Sequence, residues 1–170
     1  DNSVELRDAA NALVSSHNSI QAAYTAIPSP MTQAYRIVIQ ATYGGTNEVF
    51  PITFNQKDGS DSTKTVSLYP AAGVSAVTVG GTPTNTPSLL LDGADWVIIN
   101  GNAGNGPAGS PINMTIVNLS TSGANSAAIR WANGSTYTRV MNCKIQSNTQ
   151  SSAGPRTVEY QLSASNPEGT

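Results

Sequence analysis

The chain has 170 residues, a formal net charge of −2 and only 11% charged residues. Serine, threonine, asparagine and glycine fill about 40% of it, which argues against a helical cytosolic protein and suits a stacked β structure with many tight turns. The eight Lys and Arg residues are scattered, so nucleic-acid binding is not expected, and no apolar stretch approaches the roughly 20 residues of a membrane span.

The first 30 residues are predicted to form a short α-helical cap. Apolar residues recur there at helical intervals, on one face that would comprise Leu6, Ala9, Ala10, Leu13 and Val14. A second helix is predicted from Ser19 to Ile27, because Pro28 stops it. Such a helical segment would cover the exposed end of a stack of strands.

The next segments are predicted to be strands and a loop. Tyr35–Gln40 is rich in β-branched residues, which favours a strand. Val49–Phe54 follows as a second strand, with Pro51 indicating an edge or a bend. Asn55–Lys64 is polar and is predicted to be a loop, after which a repeated pattern begins.

This repeat consists of short apolar runs separated by polar corners. Its clearest copy has the runs Leu89–Leu91 and Trp96–Ile99, with Asp92–Asp95 as the corner between them. Leu68 and Leu90 occupy comparable positions 22 residues apart. A strand–corner–strand repeat of about 20 residues predicts a β-solenoid.

Several stretches resemble known parallel β-helices. Leu90–Gly101 is similar to a turn of the right-handed parallel β-helices in the pectin-lyase-like superfamily. Ser19–Pro30, Tyr69–Val74 and Ala128–Asn133 look closer still to large secreted surface proteins of Bacteroidetes-type bacteria. The resemblance spans roughly residues 19–148 and implies an all-β, right-handed parallel β-helix with a short N-terminal α-helical cap. It also implies a secreted or cell-surface location, although this chain shows no signal peptide.

The predicted organisation is therefore a helical cap over residues 1–30 and β-helix turns over residues 31–170. Asn102–Pro111 and Thr121–Ser126 are predicted loops that could wall a groove. After Gln146 the pattern decays, and Thr157–Leu162 is the last strand candidate. Because no C-terminal cap is recognisable, we expect the sequence to be truncated, with its open end covered by the rest of a larger chain or by another subunit.

Catalytic candidates are few. Polysaccharide lyases and glycoside hydrolases of this fold need clustered carboxylates, and lyases also need a basic residue. The repeats offer Asp92 and Asp95 as acids and Arg130 and Lys144 as bases. The two aspartates are preferentially interpreted as turn residues that bond backbone amides, and the basic residues as solvated positions on outward strand faces.

The sequence contains only weak indications of a metal site or of a reactive cysteine. Asp58 and Asp61 flank Gly59 in a polar loop that faintly resembles a calcium site but lacks the terminal glutamate of an EF-hand, so a plain loop is preferred. Calcium is the only cofactor this sequence suggests, and otherwise none is expected. Cys143 is the only cysteine and is predicted to pack as a small apolar residue rather than to act as a nucleophile.

Aromatic residues provide the candidate binding site. Trp96, Trp131 and Tyr137, together with Tyr35, could form a sugar-stacking platform if they shared one exposed face. Trp96 opens an apolar run and Trp131 closes one, so packing against the interior is the preferred interpretation of both.

Three functions fit these observations. The favoured one is a non-catalytic, structural or adhesive β-helix segment of a secreted or cell-surface protein, with a polysaccharide or cell-surface glycan as its partner. The alternative is part of a polysaccharide lyase or glycoside hydrolase of the pectin-lyase-like fold. A phage tail-spike or ice-binding solenoid is the third, and the scattered threonines count against ice binding.

Overall fold

The computed structural model describes residues 2–148 and 156–160, and strands make up 42% of the structure whereas helices make up 6%. One helix, α1 (Ile20–Thr25), and a short 3₁₀ turn (Ala103–Asn105) lie among the strands. The strands are β1 (Val4–Arg7), β2 (Leu13–His17), β3 (Tyr35–Ile39), β4 (Ile52–Asn55), β5 (Val66–Pro70), β6 (Val77–Gly81), β7 (Pro87–Asp92), β8 (Val97–Asn100), β9 (Met114–Asn118), β10 (Ala127–Ala132), β11 (Arg139–Met141), β12 (Cys143–Ser147) and β13 (Arg156–Tyr160).

These strands form three open sheets. Sheet 1 has the order β11-β8-β5-β3-β1-β2, sheet 2 the order β13-β10-β7-β4, and sheet 3 the order β12-β9-β6. All neighbours from β3 onward are parallel, whereas β1 is antiparallel to both β2 and β3. From β5 onward the chain visits sheet 1, sheet 3 and sheet 2 in turn before it returns to sheet 1.

The core lies on the inner faces of the sheets. Side chains alternate between the two faces of a strand, so strands paired in register place equivalent residues directly beside one another. Ile37, Leu68 and Ile99 form one such row across sheet 1, and all three are completely buried. The short apolar runs of the sequence thus become continuous apolar rows, whose burial stabilises the fold.

The register corrects the predicted repeat length. Residues paired between neighbouring strands are 31 apart at Leu68 and Ile99, and 40 apart at Leu89 and Ile129. Leu68 and Leu90, which the predicted 20-residue repeat made equivalent, lie in sheet 1 and sheet 2. The prediction was wrong because two strands of the other sheets, and therefore three connecting segments, separate successive visits to the same sheet.

The first predicted helix is also wrong. Residues 4–17 form the β1–β2 hairpin, in which Val4 and Leu6 are buried and Leu13 is 53% exposed. Its turn is fixed by Asn11, which has a positive φ of 66°, and by Asp8, whose carboxylate accepts a hydrogen bond from the Ala12 N–H at 2.8 Å. Asparagine tolerates this left-handed conformation, so the local turn prevails over the helical spacing of the apolar residues.

The second predicted helix is confirmed in shortened form. Helix α1 begins after Ser19, whose hydroxyl accepts the Ala22 N–H at 3.1 Å as an N-cap. Ile20 and Tyr24 face the core. Of the predicted strands, Tyr35–Gln40 corresponds to β3, while the last one extends to Leu162 and so lies partly outside the described residues.

Helix α1 covers the end of sheet 2. The Gln21 side chain accepts the Thr53 N–H at 2.7 Å and donates to the Thr53 carbonyl at 3.2 Å, so its amide replaces a neighbouring strand at the edge of β4. Tyr24 Oη donates to the Asn55 carbonyl, and the Tyr24 ring packs edge-on against Phe54 with centroids 4.8 Å apart. These contacts satisfy backbone groups that a free edge would expose.

A half-buried carboxylate, that of Glu48, anchors the start of this helix. Glu48 Oε1 accepts the Ile20 N–H at 2.5 Å and the Tyr43 hydroxyl at 3.0 Å. Burial raises the pKa of the Glu48 carboxyl, and these hydrogen bonds offset only part of that effect. The ionised form is therefore less favourable in the folded protein than in the unfolded chain.

Replacing Gln21 with alanine should lower the free energy of unfolding by about 1–3 kcal/mol, because two backbone groups of Thr53 lose their partner. The measurement is a urea unfolding curve followed by circular dichroism. Gln146→Ala, which removes an exposed glutamine from β12, is the matched control and should change stability by less than about 0.5 kcal/mol. Equal losses in the two variants would show that the Gln21 amide does not protect the edge.

Glu48→Gln should change the pH dependence of stability. Because the pKa of Glu48 is raised in the folded protein, ionisation of this carboxyl lowers the free energy of unfolding as the pH rises from the ordinary glutamate range toward the raised value. The stability of Glu48→Gln relative to the parent should therefore increase between pH 4 and pH 7. Asp8→Asn, which also converts a carboxylate that accepts a backbone N–H to an amide, is the control. A difference that is constant with pH would contradict the prediction.

Candidate functional site

The site is built on two stacked corners between sheet 2 and sheet 1. The first corner, Asp92–Trp96, joins β7 to β8, and the second, Asn133–Thr138, joins β10 to β11. Ser135 links them, because its hydroxyl accepts the Ala94 N–H at 2.9 Å and lies 2.8 Å from the Leu91 carbonyl as a donor. This hydroxyl is buried, so its bonds are shielded from water and hold the corners in fixed register.

Asp92 and Asp95, interpreted from the sequence as turn residues and weak catalytic candidates, both bond the neighbouring corner. Asp95 Oδ1 accepts the Thr136 N–H at 2.8 Å and the Thr136 hydroxyl at 2.5 Å. Asp92 Oδ1 accepts the Asn133 side-chain amide. The carboxylates therefore bond groups 41 residues further along the chain rather than amides of their own turn.

The same offset of 41 residues brings together two aromatic rings. Trp96 and Tyr137 stack with centroids 4.3 Å apart and an angle of 5° between their planes. Both have positive φ angles, 60° and 52°, which are uncommon for bulky residues and direct both side chains out of their corners in the same way. Tyr137 is 67% exposed, so much of its ring faces solvent.

A groove of about 260 Å³ lies beside this aromatic pair. Besides the two rings it is lined by Ile98, Arg139, Ser62 and Thr65. Apolar ring surface, two hydroxyls and a guanidinium thus converge on one concave surface, the combination of groups that orients a polar ligand on an apolar base. We call this surface the aromatic groove.

The other predicted aromatics do not join it. Trp131 packs against the hydrophobic core from β10, and Tyr35 is buried in that core. The preference for interior packing is confirmed for Trp131, whereas Trp96 lies at the edge of a groove. The sequence suggested each aromatic separately and contained no local signal for which of them would meet.

The predicted basic candidates lie elsewhere. Arg130 is only 9% exposed and pairs with Glu159 at 2.5 Å in the neighbouring strand β13, so the expectation of a solvated arginine is wrong. Its guanidinium also donates to the Asn125 carbonyl at 2.6 Å. Lys144 is exposed on β12 in sheet 3, as expected. Neither residue lines the aromatic groove.

The polar loop with the weak calcium candidates Asp58 and Asp61 is held by hydrogen bonds among its own residues. Asp61 Oδ1 accepts the backbone N–H groups of Thr63 and Lys64 at 2.8 and 2.9 Å, and Oδ2 pairs with the Lys64 ammonium. The hydrogen bond with Lys64, followed by those with Thr63, lowers the pKa of the Asp61 carboxyl. Asp58 contributes backbone bonds to Met31 and Ser29. Within residues 2–148 and 156–160, no group of three His, Cys, Asp or Glu side chains is arranged to hold a metal.

Cys143 is half-buried against the core, where its thiol donates to the Met141 carbonyl at 3.2 Å. Burial raises the pKa of this thiol to about 12. The thiolate needed for nucleophilic attack is therefore scarce near neutral pH, in agreement with the packing role predicted for Cys143.

Comparison with known proteins identifies no relative. No protein-family model matches the chain, and searches of curated proteins and of solved structures find no similar protein either. Among the described residues there is also no helix of the length and apolarity that crossing a membrane requires.

Asp95→Ala should lower the free energy of unfolding by about 0.5–1.5 kcal/mol, because the Thr136 N–H and hydroxyl lose their acceptor. Asp95→Asn is the matched variant and should cost less, because an amide oxygen can still accept both bonds. Thermal unfolding of the three proteins tests this order. A folded Asp95→Asn protein that had lost a glycan-cleaving activity of the parent would instead assign Asp95 a catalytic role.

Proposed function

We propose that the chain is part of a right-handed parallel β-helix similar to the pectin-lyase-like proteins. Parallel, in-register pairing in all three sheets supports this proposal, as does the regular order in which the chain visits them. In such a helix the three sheets are the sides of each turn, and the corners stack along one edge. The Trp96–Tyr137 and Asp95–Thr136 contacts have the geometry expected of stacked corners.

We further propose that this β-helix is a non-catalytic module that binds a polysaccharide or cell-surface glycan. The observation that carries the proposal is the stacked Trp96–Tyr137 pair with its groove. A sugar ring has one relatively apolar face of C–H groups and a polar rim of hydroxyls. The exposed Tyr137 ring would receive the apolar face, while the hydroxyls and the guanidinium that line the groove would bond the rim.

Binding is favoured over cleavage by the state of the carboxylates. Hydrolysis of a glycosidic bond commonly needs two carboxyl groups on opposite sides of that bond. Asp92 and Asp95 lie in one corner, and one carboxylate oxygen of each accepts a hydrogen bond from the next corner. Of the two basic candidates for a lyase, Arg130 is paired with Glu159, and Lys144 lies in sheet 3 rather than in the corner of the two aspartates. The enzyme alternative therefore has no supporting geometry in the described part of the chain.

A secreted or cell-surface location belongs to the same proposal and rests on the resemblance in the sequence. The proposal also includes a protein partner. Within the described residues β11, β12 and β13 are the end strands of their sheets, and an end strand presents backbone groups that another strand can pair with. Another segment of a larger chain, or a second subunit, would supply that strand.

Tyr137→Ala should weaken glycan retention about fivefold, because the ring surface offered to the sugar is removed. Affinity electrophoresis through gels containing soluble polysaccharides measures this. Tyr137→Phe keeps the ring and should stay within about twofold of the parent. Val49→Ala truncates another exposed apolar side chain, outside the groove, and is the control.

Two outcomes would overturn the proposal. One is the absence of retention on every polysaccharide tested, with the protein folded by circular dichroism. The other is the appearance of new reducing or unsaturated chain ends during incubation with the parent protein, which would replace binding with the enzyme alternative.

A further inference from the structure

The outer face of sheet 1 carries a row that contains three arginines. Ile37, Leu68 and Ile99 face the core, so their alternate neighbours face outward. The register aligns these outward residues in one line across five strands, in the order Arg7, Arg36, Ser67, Ile98 and Arg139. We call this line the arginine row.

The three arginines differ in how their charge is balanced. Arg7 is paired with Glu5 at 2.7 Å. Arg36 donates to the main-chain carbonyls of Asp8 and Ala9 and has no ion pair among the described residues. Arg139 is exposed and likewise has no ion pair within that part of the chain. Within the described residues, therefore, the exposed Arg139 and the half-buried Arg36 carry positive charges on this sheet without a carboxylate partner.

The arginine row connects two concave surfaces. The aromatic groove lies where β5, β8 and β11 begin, since Thr65, Trp96 and Tyr137 are close to the first residues of these strands. A second groove of about 280 Å³ lies toward the ends of β3 and β5 and includes Val38 and Tyr69. One shallow surface thus combines an aromatic base at one side with cationic groups across its middle.

We propose that this surface binds a linear acidic polysaccharide in which carboxylate or sulfate groups are separated by neutral sugars. The inference rests on the proposed glycan binding and specifies its ligand class. Arginine forms bidentate bonds with both kinds of anion. Arg36 and Arg139 are three strand spacings apart, about 14 Å, and the positions between them are occupied by the neutral Ser67 and Ile98.

A nucleic acid fits this surface less well. Its backbone carries one charge per nucleotide, and tight binding requires many neutralising contacts. The arginine row offers only two unpaired cations, on a chain with a formal net charge of −2. An acidic glycan needs fewer ion pairs, because its neutral sugars can use the aromatic pair and the hydroxyls of the aromatic groove.

The experiment compares four probes in affinity electrophoresis at low salt: hyaluronan, which alternates carboxylated and neutral sugars, dextran sulfate, neutral dextran and single-stranded DNA. The parent protein should be retained by hyaluronan or dextran sulfate at least about fivefold more strongly than by dextran, and salt should weaken that retention. Stronger retention by hyaluronan identifies the anions as carboxylates separated by neutral sugars, whereas stronger retention by dextran sulfate, which carries sulfate on most of its sugars, indicates sulfate binding without that spacing.

Arg139→Gln should reduce retention on the acidic probe about fivefold and retention on dextran by less, because the glutamine amide can still bond a sugar hydroxyl but carries no charge. Lys144→Gln removes the same charge from sheet 3 and should change retention by less than about twofold. Arg139→Lys keeps the charge but not the bidentate geometry, so it should recover only part of the binding, and this partial recovery separates an electrostatic role from a loss of folding. Arg36→Gln should have the same direction of effect as Arg139→Gln, once its thermal unfolding confirms a folded protein.

The outcomes distinguish this inference from the proposed function. Equal retention on dextran and the acidic probes, or equal effects of Arg139→Gln and Lys144→Gln, would overturn the acidic ligand and leave glycan binding intact. Retention by no polysaccharide would overturn both. Retention by single-stranded DNA above every glycan would replace the ligand with a nucleic acid.

Discussion

In-register pairing of parallel strands is the constraint on which the rest of the structure depends. When Leu68 lies between Ile37 and Ile99, every neighbouring position in those strands is aligned as well. The inner positions become apolar rows and the outer positions become the arginine row. Because the corners connect aligned strands, they are aligned as well, and Asp95 contacts Thr136 and Trp96 contacts Tyr137 at the same offset of 41 residues. A shift of one residue would turn the apolar rows outward, so burial of the core also fixes the geometry of the surface.

The first strands of such a stack need protection, because parallel pairing leaves an unsatisfied edge at the end of each sheet. This chain uses different solutions in different sheets. In sheet 1 the β1–β2 hairpin supplies antiparallel strands. In sheet 2 helix α1 supplies side chains instead, and the Gln21 amide mimics a strand toward Thr53. Glu48 then fixes the helix to the loop that precedes β4. The predicted function of the N-terminal segment, protection of an end, agrees with these contacts, although half of the predicted helical content is a hairpin.

Local signals predicted local structure, and the errors came from features that sequence neighbours do not determine. The β-branched run at Tyr35–Gln40 gave β3, and Pro28 with Ser19 bracketed α1. The hairpin was not predicted, because the left-handed turn at Asn11 forms in place of the helix that the spacing of five apolar residues indicated. The repeat length was misjudged because the number of strands between two visits to a sheet is a property of the assembled stack. Trp96 and Tyr137 were both suggested, yet their pairing depends on the 41-residue offset, and Trp131 has no part in it.

The aromatic pair is separable from the bonds that hold its corners together. Ser135, buried between the corners, bonds the Ala94 N–H and the Leu91 carbonyl, and Thr138 Oγ1 donates to the Ala94 carbonyl at 3.0 Å. Asp95 adds two bonds to Thr136. None of these contacts involves an aromatic ring. A ring that is 67% exposed, as Tyr137 is, gains little from burial, so stability alone does not account for a tyrosine at this place.

By contrast, the neighbouring Asn100 and Asn142 pair at 2.9 Å, and Asn100 is almost fully buried and bonded on both amide atoms, as a structural stack requires. The same register thus builds one stack whose polar groups are satisfied internally and one whose ring face is left for a ligand.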